Sequence, residues 1–149
     1  MGYYVRYIVT DKRDLDLQLI EDSLRQSDSA YAVANRQTKR IAGDLIHGEE
    51  VLAQIEINRP GDGLFEDEID ELLEFAEDGE GKGKEEVIEC LKKARAILAV
   101  QVLFQDREAE DALGRIDSLW SWLFKNRKGL LQADGEGYYR GATLILEAE

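Results

Sequence analysis

Between Ala96 and Gln105 the chain reads A-I-L-A-V-Q-V-L-F-Q, its most apolar run, with charge-rich helical patterns on either side. The run is far short of the roughly 20 apolar residues that a membrane-spanning helix needs. As a helix it would be apolar nearly all round, between strongly amphipathic neighbours. As a strand it places Leu98, Val100, Val102 and Phe104 on one face, with Ile97, Ala99, Gln101 and Leu103 on the other. The pattern therefore predicts a buried central strand over Ile97–Phe104, with partners along both edges.

Tyr3–Thr10 has the same character. It is rich in β-branched and aromatic residues, with Val5, Tyr7 and Val9 on one face and Tyr4, Arg6, Ile8 and Thr10 on the other. Each of these strands is followed by a helix and then by more strand pattern. After the first, Asp11–Asp14 offers a cap, and Leu17, Ile20 and Leu24 recur at helical spacing, predicting an amphipathic helix over Asp14–Gln26. Tyr31–Ala34, Arg40–Ile46 and Glu49–Asn58 then read as strands, the last burying Val51, Ala53, Ile55 and Ile57. After the second, Asp106 reads as the cap of a helix with the inward stripe Ala109, Ala112, Leu113, Ile116, Trp120, Leu123 and Phe124; Gly129 closes it. Leu130–Ala133 and Tyr138–Leu146 read as strands joined by the turn Asp134–Gly137.

Between these units, Asn58–Gly63 holds the only proline and launches a helix with the stripe Phe65, Ile69, Leu72, Leu73 and Ala76. A second inserted helix, Lys84–Arg95, turns Val87, Cys90, Leu91 and Ala94 inward. The expected fold is α+β: two strand-helix-strand-strand repeats sharing a mostly antiparallel sheet, helices on one face, and two extra helices inserted between the repeats. The expected boundaries are one domain over 1–149, with repeat one at about 3–58, the helical insert at about 62–95 and repeat two at about 97–148. Val5, Tyr7 and Val9 match Val100, Val102 and Phe104 face by face, and Leu17, Ile20 and Leu24 match Leu113, Ile116 and Trp120. In layout, without a shared motif, this order resembles the duplicated modules of gyrase-inhibitor-like small-molecule-binding proteins. The resemblance implies a small molecule held in a cleft between the repeats.

Charge narrows the partners. The 32 acidic and 19 basic residues give a net charge of −13, which repels nucleic-acid backbones and anionic membrane surfaces. Cys90 is the only cysteine, so no internal disulfide forms, and a cytoplasmic location is expected. The N-terminus lacks the charged segment and long apolar core of a secretory signal. One histidine, His47, and one cysteine cannot compose a zinc site, and no calcium-loop pattern is present; neither a metal nor a cofactor is expected. Gly79–Glu85 has lysines among glycines, but its spacing is not that of a phosphate loop, and no G-x-S-x-G is present. The sequence points away from catalysis.

Two loops carry recognition chemistry. Asn58, Arg59 and Asp62 sit in the Pro/Gly-stiffened turn, and Asp134, Glu136, Tyr138, Tyr139 and Arg140 crowd around a glycine-rich one; both compositions also serve ordinary turns. The helix over Phe65–Asp78 carries Glu66, Asp67, Glu68, Asp70, Glu71, Glu74, Glu77 and Asp78 without one Lys or Arg. Like charges at i and i+4 repel, and acids in its last turn oppose the helix dipole. The expected function is a non-catalytic, acidic protein-binding module for a basic protein partner, immunity- or antitoxin-like or regulatory. A small-molecule binder is the alternative, and oligomeric state is not indicated.

Overall fold

The computed structural model describes residues 2–147. Met1, Ala148 and Glu149 lie outside the described residues, so the second unit, expected to end near 148, is followed to Glu147. The element order is β1 (Gly2–Val9), α1 (Leu17–Ser27), β2 (Tyr31–Ala34), β3 (Ile41–His47), β4 (Glu50–Asn58), α2 (Leu64–Asp78), α3 (Lys84–Lys92), β5 (Ala96–Leu103), α4 (Ala109–Gly114), α5 (Asp117–Asn126), β6 (Gly129–Ala133), β7 (Gly137–Arg140) and β8 (Thr143–Glu147). The fold is α+β, with all eight strands in one antiparallel sheet of order β2-β3-β4-β5-β1-β6-β7-β8.

The two strands richest in apolar residues lie side by side inside the sheet. β5 pairs with β1 from Gly2↔Leu103 to Val9↔Ala96, and its other edge pairs with β4. Because side chains alternate, this register stacks Val5 beside Val100 and Tyr7 beside Leu98 on one face, and Arg6 beside Ala99 and Ile8 beside Ile97 on the other. β1 and β5 run in opposite directions, and their crossovers leave towards opposite edges of the sheet, β1 to β2 and β5 to β6. Two crossovers of the same hand then fall on the same face, which is where α1, α4 and α5 pack. Leu17, Ile20 and Leu24 of α1, Ala112, Leu119 and Leu123 of the later helices, and Ile116 between those two helices share one core with Tyr7, Leu98, Val100 and Ile55. We call this the apolar face.

The two inserted helices cover the opposite face. Phe65, Leu72 and Ala76 of α2 and Val87 and Leu91 of α3 form a second core with Ile8, Ile97, Leu130, Tyr138 and Leu146. α3 reaches β8 closely enough that a Cβ on Gly83 would lie 2.0 Å from the Ile145 carbonyl oxygen, so only glycine fits there. Helices therefore lie on both faces; the layout with helices on one face holds for α1, α4 and α5 alone.

Several details differ from expectation. Each unit has three strands after its helix, because Tyr138–Leu146 divides into β7 and β8 around Gly141, whose φ is +61°. The order of elements recurs, but the meanders thread differently: β4 is the inner strand of the first and β6 of the second. The helix expected after Asp106 is two helices, with Glu108 at the N-cap, and Trp120 is only half-buried while Leu119 and Leu123 are fully buried. Its apolar arc is wide enough to admit more than one inward centre, and periodicity alone does not choose between them. Asp16, not a residue of Asp11–Asp14, caps α1 by accepting from the Leu19 amide at 2.7 Å. A bulge between β3 and β4 turns Leu52 into the core beside Ala53.

Candidate functional site

The apolar face is closed. Its polar groups serve the fold: Arg127, 5% exposed, grips both carboxylate oxygens of Asp11 at 2.7 and 2.8 Å, and the Lys128 amide adds a third bond. These bonds depress the Asp11 carboxyl from 3.8 to about 2. The Tyr7 hydroxyl donates to the Arg127 carbonyl at 2.9 Å. The clasp ties the end of α5 to the loop between β1 and α1.

The other face is built differently. Strand register sets a row running Glu56, Ala99, Arg6, Gln132 and Tyr138 across β4, β5, β1, β6 and β7. Arg6 is the charge at the centre of this row. Its Nε donates to Glu68 of α2 at 2.9 Å, and its Nη1 donates to Gln132 at 2.8 Å and Asp134 at 2.9 Å. Burial opposes its charge, but the hydrogen bonds and proximity of Glu68 and Asp134 prevail and raise its pKa. Tyr4 lies beneath the guanidinium, 5.6 Å from ring centre to carbon. The turn before α2 aims that helix at Arg6. Asp62 accepts from the amides of Arg59 (2.8 Å) and Phe65 (2.6 Å), while Glu66 reaches back to the amides of Gly61 and Gly63. Gly63 has φ +80°, a conformation glycine adopts without strain.

Between α2 and the β6–β8 meander lies a cavity of about 520 Å³, within the range of small-ligand pockets. Leu72, Ala76, Tyr138 and Leu146 supply apolar wall, Asp134 stands on one side, and Phe75 and Asp78 lie on α2. A smaller hollow continues from it to Arg6 and Glu71. On the far side of α2 the sheet is uncovered, and Tyr4, Gln54, Glu56 and Gln101 present a polar floor.

The two loops singled out in the sequence are partly brought together. Asn58 is buried and donates to Glu68 at 3.4 Å, so it joins Asp134 through Glu68 and Arg6. Tyr138 lies on the same face, two strands from Arg6. The others lie apart from this cluster. Arg59 donates to the Leu15 carbonyl, and Asp62 is occupied in the turn. Glu136 accepts from the hydroxyls of Tyr3 and of Tyr139 (2.7 Å), and Arg140 pairs with Glu86 of α3. Arg6, Glu68 and Gln132 complete the cluster and were not among the sequence candidates. The signal was present, since an arginine inside an otherwise apolar strand demands a partner.

Other reactive groups are accounted for. Burial pushes the Cys90 thiol up to about 12, leaving almost no thiolate at neutral pH. His47 bonds Asp28 at 2.8 Å and packs edge-on against Tyr31. Among the described residues no three His, Cys, Asp or Glu side chains converge as a metal site, and no helix is long and apolar enough to cross a membrane. Compared with known proteins, the chain matches no family, no curated protein and no solved structure.

Proposed function

We propose that this chain is a non-catalytic binding module that engages a basic protein partner through the exposed side of α2. The observation that carries the reading is Phe75. At 68% exposure it is the most exposed large apolar side chain among the described residues, and it stands among carboxylates. Of the eight acids on α2, Glu68 is held by Arg6 and Glu66 by the turn amides. Asp67, Asp70, Glu71, Glu74, Glu77 and Asp78 form no ion pair among the described residues, and a helix without a base cannot neutralise them internally. Their repulsion weakens the free helix slightly, whereas a cationic surface would relieve it. An aromatic anchor within a charged rim is the composition that concentrates binding energy at protein interfaces.

The test is recovery of partners by tagged protein from the native cytosol. Wild type should retain a basic protein that elutes as salt rises. Phe75→Ser should lose it, and so should the triple variant Asp70→Asn, Glu74→Gln, Glu77→Gln. Equal recovery by all three proteins would overturn the assignment to α2.

A further inference from the structure

The two edges of the sheet are finished in different ways. β2 forms one edge, and its outward-facing residues, Tyr31 and Val33, are sealed by α1 and the flanking loops. The Tyr31 amide donates to the Asp28 carbonyl at 3.2 Å, and the Tyr31 carbonyl accepts from Arg25 at 3.2 Å. The Val33 amide donates to Glu21 at 2.7 Å, and the Val33 carbonyl accepts from Arg36 at 3.3 Å. That edge offers a further strand nothing to bond. β8 forms the other edge. Arg140 and Thr143 close a two-residue turn between β7 and β8, so the next residue, Leu144, points its N–H and C=O away from β7. Neither group has a hydrogen-bond partner among the described residues. The Leu144 side chain is 43% exposed, and Gly141–Leu146 carries no charge in a chain of net charge −13. Sheets usually protect such a stretch with a lysine or a proline. Here the edge is blunted only beyond Leu144, where Ile145 bulges and Gly83 lies against its carbonyl.

We infer that β8 pairs antiparallel with β8 of a second copy of this chain, across a two-fold axis through Leu144. An antiparallel edge is self-complementary under that symmetry, because each Leu144 N–H donates to the other copy's Leu144 carbonyl. The axis stands perpendicular to the sheet, so both Leu144 side chains lie on the same face, beside Tyr139, and cover each other. The uncharged run lets two acidic chains meet without setting carboxylates against one another. The sealed β2 edge then limits the assembly to two copies, whereas a sheet open at both edges would extend without closing. The bulge at Ile145 keeps the pairing short, so the dimer is weak and responds to concentration.

Sedimentation equilibrium of the full chain tests this. The mass should rise from 16.9 kDa towards twice that value across the micromolar-to-millimolar range, and no further. Leu144→Lys sets a charge against its own copy on the axis and should stay monomeric over the same range, with unchanged thermal stability. Cysteines read the register. Residues opposed in a hydrogen-bonded antiparallel pair have Cα atoms about 5.5 Å apart, within reach of a disulfide. Leu144→Cys should therefore oxidise to a covalent dimer several-fold faster than Thr143→Cys, which does not face itself across the axis. Cys90, its thiol pushed up to about 12 by burial, should stay out of the reaction. The inference is overturned if wild type stays monomeric at millimolar concentration, which is also the result if β8 takes only a foreign strand. It is overturned equally if Leu144→Lys associates as wild type does, if both cysteine variants oxidise at one rate, or if the mass grows past the dimer. Partner recovery through α2 is read on other residues, so either result can fail alone.

Discussion

The two faces of the sheet share the same strands yet differ in almost every physical respect. On one, Val5, Tyr7, Leu98, Val100 and Ile55 meet Ile20, Leu119 and Leu123 in a closed apolar core. On the other, the same strands present Tyr4, Arg6, Ala99, Gln101, Gln54 and Glu56, with a salt-bridged cluster, a cavity and an uncovered floor. The closed face holds the larger of the two cores, and its buried arginine is occupied within the fold. The open face tolerates a half-buried charge and, at Tyr138, a hydroxyl unpartnered among the described residues, which a sequence selected for packing alone would replace. Polar residues at interior positions of central strands thus mark the side that we propose for recognition.

The largest expected effect is on the closed face. Leu123→Ala should cost about 3–4 kcal/mol in urea denaturation, because Leu123 is fully buried and its neighbours cannot collapse into the space. Leu72→Ala, beside the existing cavity, should cost about 2 kcal/mol, towards the low end of such truncations. Equal costs would erase the energetic distinction between the faces.

Next comes the Asp11–Arg127 clasp. Arg127→Ala should cost about 3 kcal/mol by leaving the partly buried carboxylate without its partner. The same pair sets an acid limit. The folded-state pKa of Asp11 lies below its ordinary 3.8, at about 2. Its contribution is therefore complete above about pH 4 and is lost as pH falls towards 2. The stability of Arg127→Ala should fall less steeply than that of wild type across that window. An unchanged slope would assign the acid sensitivity to other groups.

Arg6 tests the open face. Arg6→Met should cost about 2 kcal/mol and free Glu68 and Asp134 from each other. Amide exchange in α2 should accelerate, while β1 and β5 amides stay protected, because α2 loses its polar anchor and the sheet keeps the apolar face. Uniform acceleration everywhere would show that the two faces unfold as one. The smallest effect is at the outer carboxylates. Asp70→Asn, Glu74→Gln and Glu77→Gln together should raise free-protein stability by a few tenths of a kcal/mol for each repulsive pair removed. A loss in thermal denaturation would mean that these acids have partners within the chain.

Much of this was legible in the sequence, for identifiable reasons. A helix over Ala96–Gln105 would have been apolar nearly all round, which favoured the strand that forms there, and the alternation in Tyr3–Thr10 separated Val5, Tyr7 and Val9 from Tyr4, Arg6 and Ile8 correctly. What failed depended on contacts between distant segments. Asp11 looks like a helix cap until Arg127 is brought to it from 116 residues away. Leu119 and Trp120 are equally plausible inward residues until the break between α4 and α5 sets the rotation. Of the candidate site, Asp134 and Tyr138 were named from turn composition, whereas Arg6 and Glu68 were passed over because neither lies in a loop. Their meeting depends on α2 crossing β1, which no local pattern encodes.

The central claim is that recognition belongs to the α2 side of the sheet. Photo-crosslinking in a lysate of the native cells tests it most directly. A photoreactive phenylalanine analogue is placed at Phe75 or at Leu19, which is 38% exposed on α1 over the closed face. The account predicts a discrete adduct with a basic protein from position 75 that disappears at high salt, and none from position 19. Adducts from Leu19 alone, or the same adducts from both positions, would contradict it.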